Sequence, residues 1–176
     1  MVLQEHIDKF KIDKKVLDEP VLTCLNVIKN ILDDLPIIIN DCDHMFKCVE
    51  LTNMFEEVNF DMGLLTFESK KPQYSYVIYN DKNRIIGTVE KQVVSNHAIY
   101  GAYLFKSAEI FVLNAHKYLK MSMYDEFFLS GIYNIVYSAE LVIKDYLVNF
   151  HLNFGTPLEY MEAKNSKYFS KMDGNK

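Results

Sequence analysis

One stretch constrains this chain more than any other: Leu35-Pro36-Ile37-Ile38-Ile39, a short apolar run that stops abruptly at Asn40-Asp41-Cys42-Asp43. A β-branched run of this length reads as a strand buried on both faces, as parallel sheets carry beneath covering helices. In open α/β sheets, ligands gather outside the carboxyl ends of the strands. Asp41-x-Asp43 therefore places two carboxylates where a ligand would sit. Such a pair suits a hard divalent cation bridging to phosphate oxygens. It equally suits a plain turn in which Asp and Asn side chains end the strand and cap the next helix.

The pattern around this run alternates helix and strand. Apolar positions Val21, Leu22, Leu25, Ile28, Ile31 and Leu32 form a helical stripe over Pro20–Leu32, with Asp18 as its cap. A second helix is expected near Lys47–Glu57. Strands follow over Met62–Glu68, Tyr74–Tyr79, Arg84–Val89 and Ile99–Phe105, with Asn80-Asp81-Lys82-Asn83 as a hairpin turn. Ser107 opens a helix to Leu119. Asp125–Ala139 reads as helical, Leu141–Phe150 as extended, and Thr156–Ala163 as a short helix. Residues 1–17 read as a loose arm, 18–165 as one α/β domain, and 166–176 as a flexible polar tail.

Composition narrows the function. The chain has 176 residues, 49% of them hydrophobic, enough for a single domain with a sizeable core. A net charge of -5 argues against a nucleic-acid surface. No window approaches the ~20 apolar residues of a membrane helix, and no signal core opens the chain. Cys24, Cys42 and Cys48 form no CxxC or zinc spacing, which points to a reducing, cytoplasmic setting. Arg84 is the sole arginine, a poor supply of guanidinium forks for a triphosphate.

Other residues can carry chemistry. Glu90-Lys91 closes a strand; the carboxylate can accept sugar hydroxyls while the ammonium meets a phosphate, or the two can be a solvated ion pair. Gly101 on a strand allows close backbone approach to a ligand, or marks a bulge. Gly155-Thr156-Pro157 reads as a helix start. Ser130 lacks the flanking glycine of a nucleophile elbow, and no Walker loop, GxGxxG or HExxH is present.

Taken in order, these pieces resemble the sugar-phosphate nucleotidyltransferases, the glucose-1-phosphate thymidylyltransferase-like enzymes tied to capsule and surface-glycan synthesis. The resemblance runs through Pro36–Ile39 into Asn40-Asp41-Cys42-Asp43-His44, Gly63–Phe67 and Tyr74-Ser75-Tyr76-Val77. It continues in Thr88-Val89-Glu90-Lys91, Gly101-Ala102-Tyr103-Leu104-Phe105, Glu126–Asn134 and Gly155-Thr156-Pro157, so that it covers residues 18–163. It implies a nucleotide-diphospho-sugar transferase fold, a Rossmann-like (GT-A-like) mixed sheet flanked by helices. It also implies transfer of a nucleotidyl group from a nucleoside triphosphate to a sugar-1-phosphate or related phosphate metabolite, with Mg2+, in polysaccharide precursor synthesis. By resemblance Asp43 holds the metal with Asp41 assisting, and Asp43 and Lys91 are the catalytic pair. Glu90 binds sugar hydroxyls, Lys91 the sugar phosphate, and Ser75, Gly101 and Tyr103 line the sugar pocket.

Two departures stand out. Asn153 takes the place where relatives often carry a second metal-binding aspartate. Nothing before Asp18 resembles the family's glycine-rich triphosphate loop, which leaves an expected shortfall of about 60–90 residues at ~30 per βαβ unit. The expectation is an N-terminally truncated domain, incomplete alone, that pairs as a homodimer or with a complementing chain through the exposed flank of the Ile37–Ile39 strand. A glycosyltransferase on the same sheet and a non-catalytic remnant are the alternatives.

Overall fold

The computed structural model describes residues 19–28, 35–51, 60–122, 126–138 and 141–170. In chain order the elements are α1 (Pro20–Ile28), β1 (Ile37–Asn40), β2 (His44–Lys47), β3 (Met62–Glu68), β4 (Tyr76–Tyr79), β5 (Ile85–Val89) and β6 (His97–Phe105). There follow α2 (Ala108–Met121), a 3₁₀ segment (Leu129–Ser138), β7 (Ile143–Leu147), β8 (Phe150–Asn153), α3 (Pro157–Lys164) and α4 (Lys167–Ser170). No helix among the described residues is long and apolar enough to cross a membrane.

The main sheet is mixed and runs β5-β4-β6-β3-β7, with β1 also paired to β6. Every pairing in it is antiparallel except β3 with β7. β6 is its spine. One edge of β6 pairs with β3; the other takes β1 from Ile37↔Phe105 to Asn40↔Ala102, then β4 at Tyr76↔Ala98. β1 therefore ends where β4 begins, at Ile99–Gly101, and the sheet is split there. Asp41 N donates to Gly101 O at 2.9 Å on one side of the split, and Ile99 N to Ser75 O at 2.8 Å on the other.

Both faces of the sheet are covered, which is why β3 is buried from Met62 to Phe67. On one face Met62, Leu64, Val77 and Phe105 pack against Val21 and Leu25 of α1, Phe111 and Tyr118 of α2, and Tyr133 of the 3₁₀ segment. On the other, Leu65, Phe67, Tyr76, Tyr100 and Leu104 meet Phe46 of β2. Ser107 caps α2 as expected, its hydroxyl accepting from Ile110 N. Thr156 caps α3 in a full capping box with Glu159. The expected hairpin forms, with Asn80 Oδ1 accepting from Lys82 N and Arg84 N and Asn83 at φ 56°.

A polar knot ties four strands. Asp145 Oδ2 on β7 accepts from Tyr79 Oη at 2.7 Å and from Thr66 Oγ1 at 3.2 Å, and lies 2.7 Å from His97 Nδ1. It links β3, β4, β6 and β7 on one face.

Several expectations are corrected. β1 is antiparallel to its neighbour and only half-buried. It is bonded along one edge alone among the described residues, so Ile37 and Ile39 reach the core while Ile38 stays 40% exposed. Lys47, read as the start of a helix, ends β2, because His44–Lys47 pairs antiparallel with β8; Glu50 and Leu51 are helical, and residues 52–57 of the expected helix lie outside the described residues. The stretch expected to be helical after Asp125 is so, as a 3₁₀ helix over Leu129–Ser138. Within the stretch read as a tail, Lys167–Ser170 forms one helical turn, and Tyr168 stacks on Phe150 at 3.8 Å. The cap assigned to Asp18 and the arm over 1–17 fall outside the described residues.

Candidate functional site

The two-carboxylate turn is suspended between the main sheet and the β2–β8 ribbon. β1 stops at Asn40, whose Nδ2 donates to Asp41 O at 2.7 Å, and Phe154 N donates to Asp43 O at 2.7 Å. Glycine backs both carboxylates, and at Gly101 the backbone itself calls for it. Gly101 holds φ 64°, and a Cβ there would collide with Asp41 Oδ2 and sit 2.8 Å from His44 Cε1. A Cβ on Gly155 would stand 2.6 Å from Asp43 Oδ2. Asp41 is exposed as a residue, yet its carboxyl lies against Gly101. Desolvation, with the Asp43 charge adding to it, pushes its pKa up to about 6.

A cleft of about 200 Å³ opens at this turn. Asp41, Asp43, Asn153 and Glu159 form its polar wall, and Phe67, Tyr74 and Tyr100 its aromatic one. His44 closes one end. Its side chain is 8% exposed and its ring lies 4.4 Å from that of Tyr100. Burial holds its pKa below the ordinary histidine value.

Across the split stands Glu90. Its Oε2 accepts from Ser75 Oγ at 2.6 Å, and its Oε1 accepts from Ser130 Oγ. Two hydroxyl donors fix an acceptor-only carboxylate and leave its remaining lone pairs for an incoming hydroxyl. Lys91 is exposed and sits at φ 53°, a left-handed conformation that a non-glycine residue rarely adopts. Its backbone N–H donates to Tyr74 O, which sets it beside Ser75. Tyr103 is 7% exposed, packed on Tyr133; burial, then the charges of Asp41 and Glu90, raise its pKa.

The structure thus brings Asp41, Asp43 and Gly101 to one side of the split and Ser75, Glu90 and Lys91 to the other. Tyr103 is buried within reach of the charges of both Asp41 and Glu90. Asn153 faces His44 across the ribbon (His44↔Asn153) and lines the same cleft as Asp43. His97 belongs to the Asp145 knot. Sequence reasoning missed Ser130, 1% exposed, as a partner of Glu90. It also missed Asn134, whose Oδ1 accepts from Thr88 N at 2.7 Å and so fixes the strand that leads to Glu90. The Tyr-Asn pair in Ile132-Tyr133-Asn134 was the available signal.

The donors suit a hard cation, being mostly carboxylate and amide oxygens. Among the described residues no three His, Cys, Asp or Glu side chains are grouped to hold a metal ion. An ion held here by one or two protein ligands would have to complete its shell with phosphate and water.

No protein-family model and no curated protein matches the sequence. Solved structures do. The nucleoside-diphosphate-sugar pyrophosphorylase from Vibrio cholerae is 20% identical at TM-score 0.61, over 72% of this chain and 55% of that one. The inositol-1-phosphate CTP transferase from T. maritima is 15% identical at TM-score 0.63, over 88% and 61%. A Bacillus anthracis protein assigned as a glucose-1-phosphate thymidylyltransferase, solved with sucrose, is 17% identical at TM-score 0.57, over 80% and 56%. The chain spans little more than half the length of each of the three.

Proposed function

From the premise that the chain has the fold of the sugar-phosphate nucleotidyltransferases, we propose that it binds a sugar-1-phosphate or a related phosphate metabolite, with a divalent cation, at the split between β1 and β4. The reaction we assign to this fold here is nucleotidyl transfer from a nucleoside triphosphate, in the supply of surface-polysaccharide precursors. A phosphate oxygen of the acceptor forms a bond to the α-phosphorus, the α–β bridging bond breaks, and its electron pair leaves with pyrophosphate.

One observation carries this reading. Asp41, Asp43 and Gly101 line the cleft at the end of β1, and Ser75, which holds Glu90, is bonded to the same stretch of β6 two residues away, Ile99 N donating to Ser75 O and Asp41 N to Gly101 O. Glu90, held by Ser75 and Ser130, accepts hydroxyls of the acceptor. Lys91 presents its ammonium to the phosphate from a fixed backbone. Asp43 and Asp41 would hold the cation, Mg2+ being the ion the resemblance implies. When bound, the cation neutralises phosphate charge as it develops. The rest of the contribution is positioning.

The test is a thermal-shift titration of the chain with a panel of sugar-1-phosphates, each with Mg2+. A ligand that binds the native state raises the melting temperature by mass action. The reading expects a rise with at least one sugar phosphate that is lost in Glu90→Gln and in Asp43→Asn. A panel with no response in the wild-type chain overturns it.

A further inference from the structure

The turn after β1 holds a ligand atom that the carboxylates do not account for. Asn40 Nδ2 donates to Asp41 O, so Asn40 Oδ1 is the atom that faces His44 Nε2, at 3.1 Å. An amide oxygen only accepts, so Nε2 carries a proton and the neutral ring has its lone pair at Nδ1. Nδ1 makes no hydrogen bond among the described residues. It stands 3.8 Å from Asp43 Oδ1, on a side chain 8% exposed, with His44 lining the cleft beside Asp43 and Asn153.

This is the arrangement that prepares a histidine for metal. A ligating imidazole characteristically gives its other N–H to an oxygen that fixes tautomer and ring plane. Here that oxygen is Asn40 Oδ1, and stacking on Tyr100 at 4.4 Å fixes the plane a second time. At metal–ligand lengths of ~2.1 Å, two ligand atoms lie about 3.4 Å apart in a tetrahedron and about 3.0 Å in an octahedron. The observed 3.8 Å exceeds both, so binding requires Asp43 to turn its carboxylate toward Nδ1 and away from Gly155, against which its Oδ2 now lies.

We propose that a divalent cation at this turn is bound by His44 Nδ1 together with Asp43, and that the site therefore selects a first-row transition ion such as Mn2+ or Co2+ over Mg2+. The inference rests on the cation-binding role proposed for Asp43 above. Imidazole nitrogen strengthens binding along the series from Mn2+ to Co2+ and Zn2+, whereas Mg2+ favours oxygen. Asn153, a neutral amide where a carboxylate would favour Mg2+, shifts the balance the same way.

The test uses the purified full chain. Pulsed electron paramagnetic resonance of the Mn2+-loaded protein reads nitrogen coupling directly, and calorimetry compares Co2+ with Mg2+. The expected result is a ¹⁴N coupling in the wild type that disappears in His44→Phe, which keeps the ring stack. Co2+ affinity should fall by about tenfold or more in that variant while Mg2+ affinity changes by less than about twofold. His44→Gln should behave like His44→Phe. Cation binding that is lost in Asp43→Asn but shows no nitrogen coupling in the wild type overturns the inference and leaves the Asp43 reading standing. No binding of any divalent cation to the wild type overturns both.

Discussion

Gly101→Ala probes the geometry of the site without touching a charged group. Two costs add. Alanine held at φ 64° loses about 1–2 kcal/mol to the left-handed conformation. Its methyl then collides with Asp41 Oδ2 and lies 2.8 Å from His44 Cε1, and pushing such side chains off their rotamers costs roughly 1 kcal/mol more. The sum, about 2–3 kcal/mol, corresponds to a melting temperature lower by roughly 4–12 °C for a chain of this size. Urea unfolding of the single variants and of the pair with Asp41→Ala separates the parts. Truncating Asp41 removes the first collision and leaves the His44 contact, so Gly101→Ala should cost less in that background, with a coupling of up to about 1 kcal/mol. A Gly101→Ala protein as stable as wild type would refute the backbone argument. An equal cost in both backgrounds would refute the packing of Asp41 over residue 101.

Other consequences can be read at the same site. Ser130→Ala removes one of the two hydroxyls on Glu90; sugar-phosphate affinity by calorimetry should drop about fivefold, near 1 kcal/mol, and an unchanged affinity counts against the clamp. Asp41 titrates near 6 in the folded chain against an ordinary 3.8. Between those values the folded state holds a proton that the unfolded chain has lost, so stability falls as pH rises through that window and levels off above it. Wild type minus Asp41→Asn, from urea midpoints at pH 4.5 to 7.5, should trace that fall; parallel profiles would contradict it. Asn153→Asp adds a carboxylate to the Asp43 wall, so Mg2+ should bind more tightly while the metal-free protein loses stability to charge repulsion. Calorimetry and thermal unfolding with chelator check the two halves, and an Mg2+ affinity no better than wild type refutes the placement of residue 153.

Much of this was readable wherever the determinants are local. Met62–Glu68 is a strand within the bounds its apolar run suggests, Asn80–Asn83 turns as its side-chain chemistry requires, and Ser107 and Thr156 cap the helices that follow them. What escaped is set by distant partners. His44–Lys47 is a strand because β8, more than a hundred residues later, pairs with it; nothing in His-Met-Phe-Lys announces that. The direction of β1 depends on β6, and no periodicity encodes direction. The site behaved likewise. The acidic turn and the Glu90-Lys91 pair were visible as residue types at strand ends. Ser130 lacks nucleophile flanks, and a hydroxyl that serves a carboxylate forty residues away leaves no local signature.

The oxygen of Asp145 that gathers Thr66, Tyr79 and His97 has a mechanical consequence for everything above. The β4–β5 hairpin shares only one register pair with β6, at Tyr76↔Ala98, and is held besides by the 3₁₀ segment, where Asn134 Oδ1 accepts from Thr88 N. That oxygen pins the turn end at Tyr79 as well, so Ser75 and Glu90, at the opposite end, stand on a jaw fixed at both ends. The opposite jaw, the β2–β8 ribbon that bears His44 and Asn153, leans on the sheet through the phenol of Tyr100, shared between Met45 O and Leu152 O at 3.0 Å each. Both sides of the split are thus tied to the one sheet they flank, one through a carboxylate and the other through a phenol.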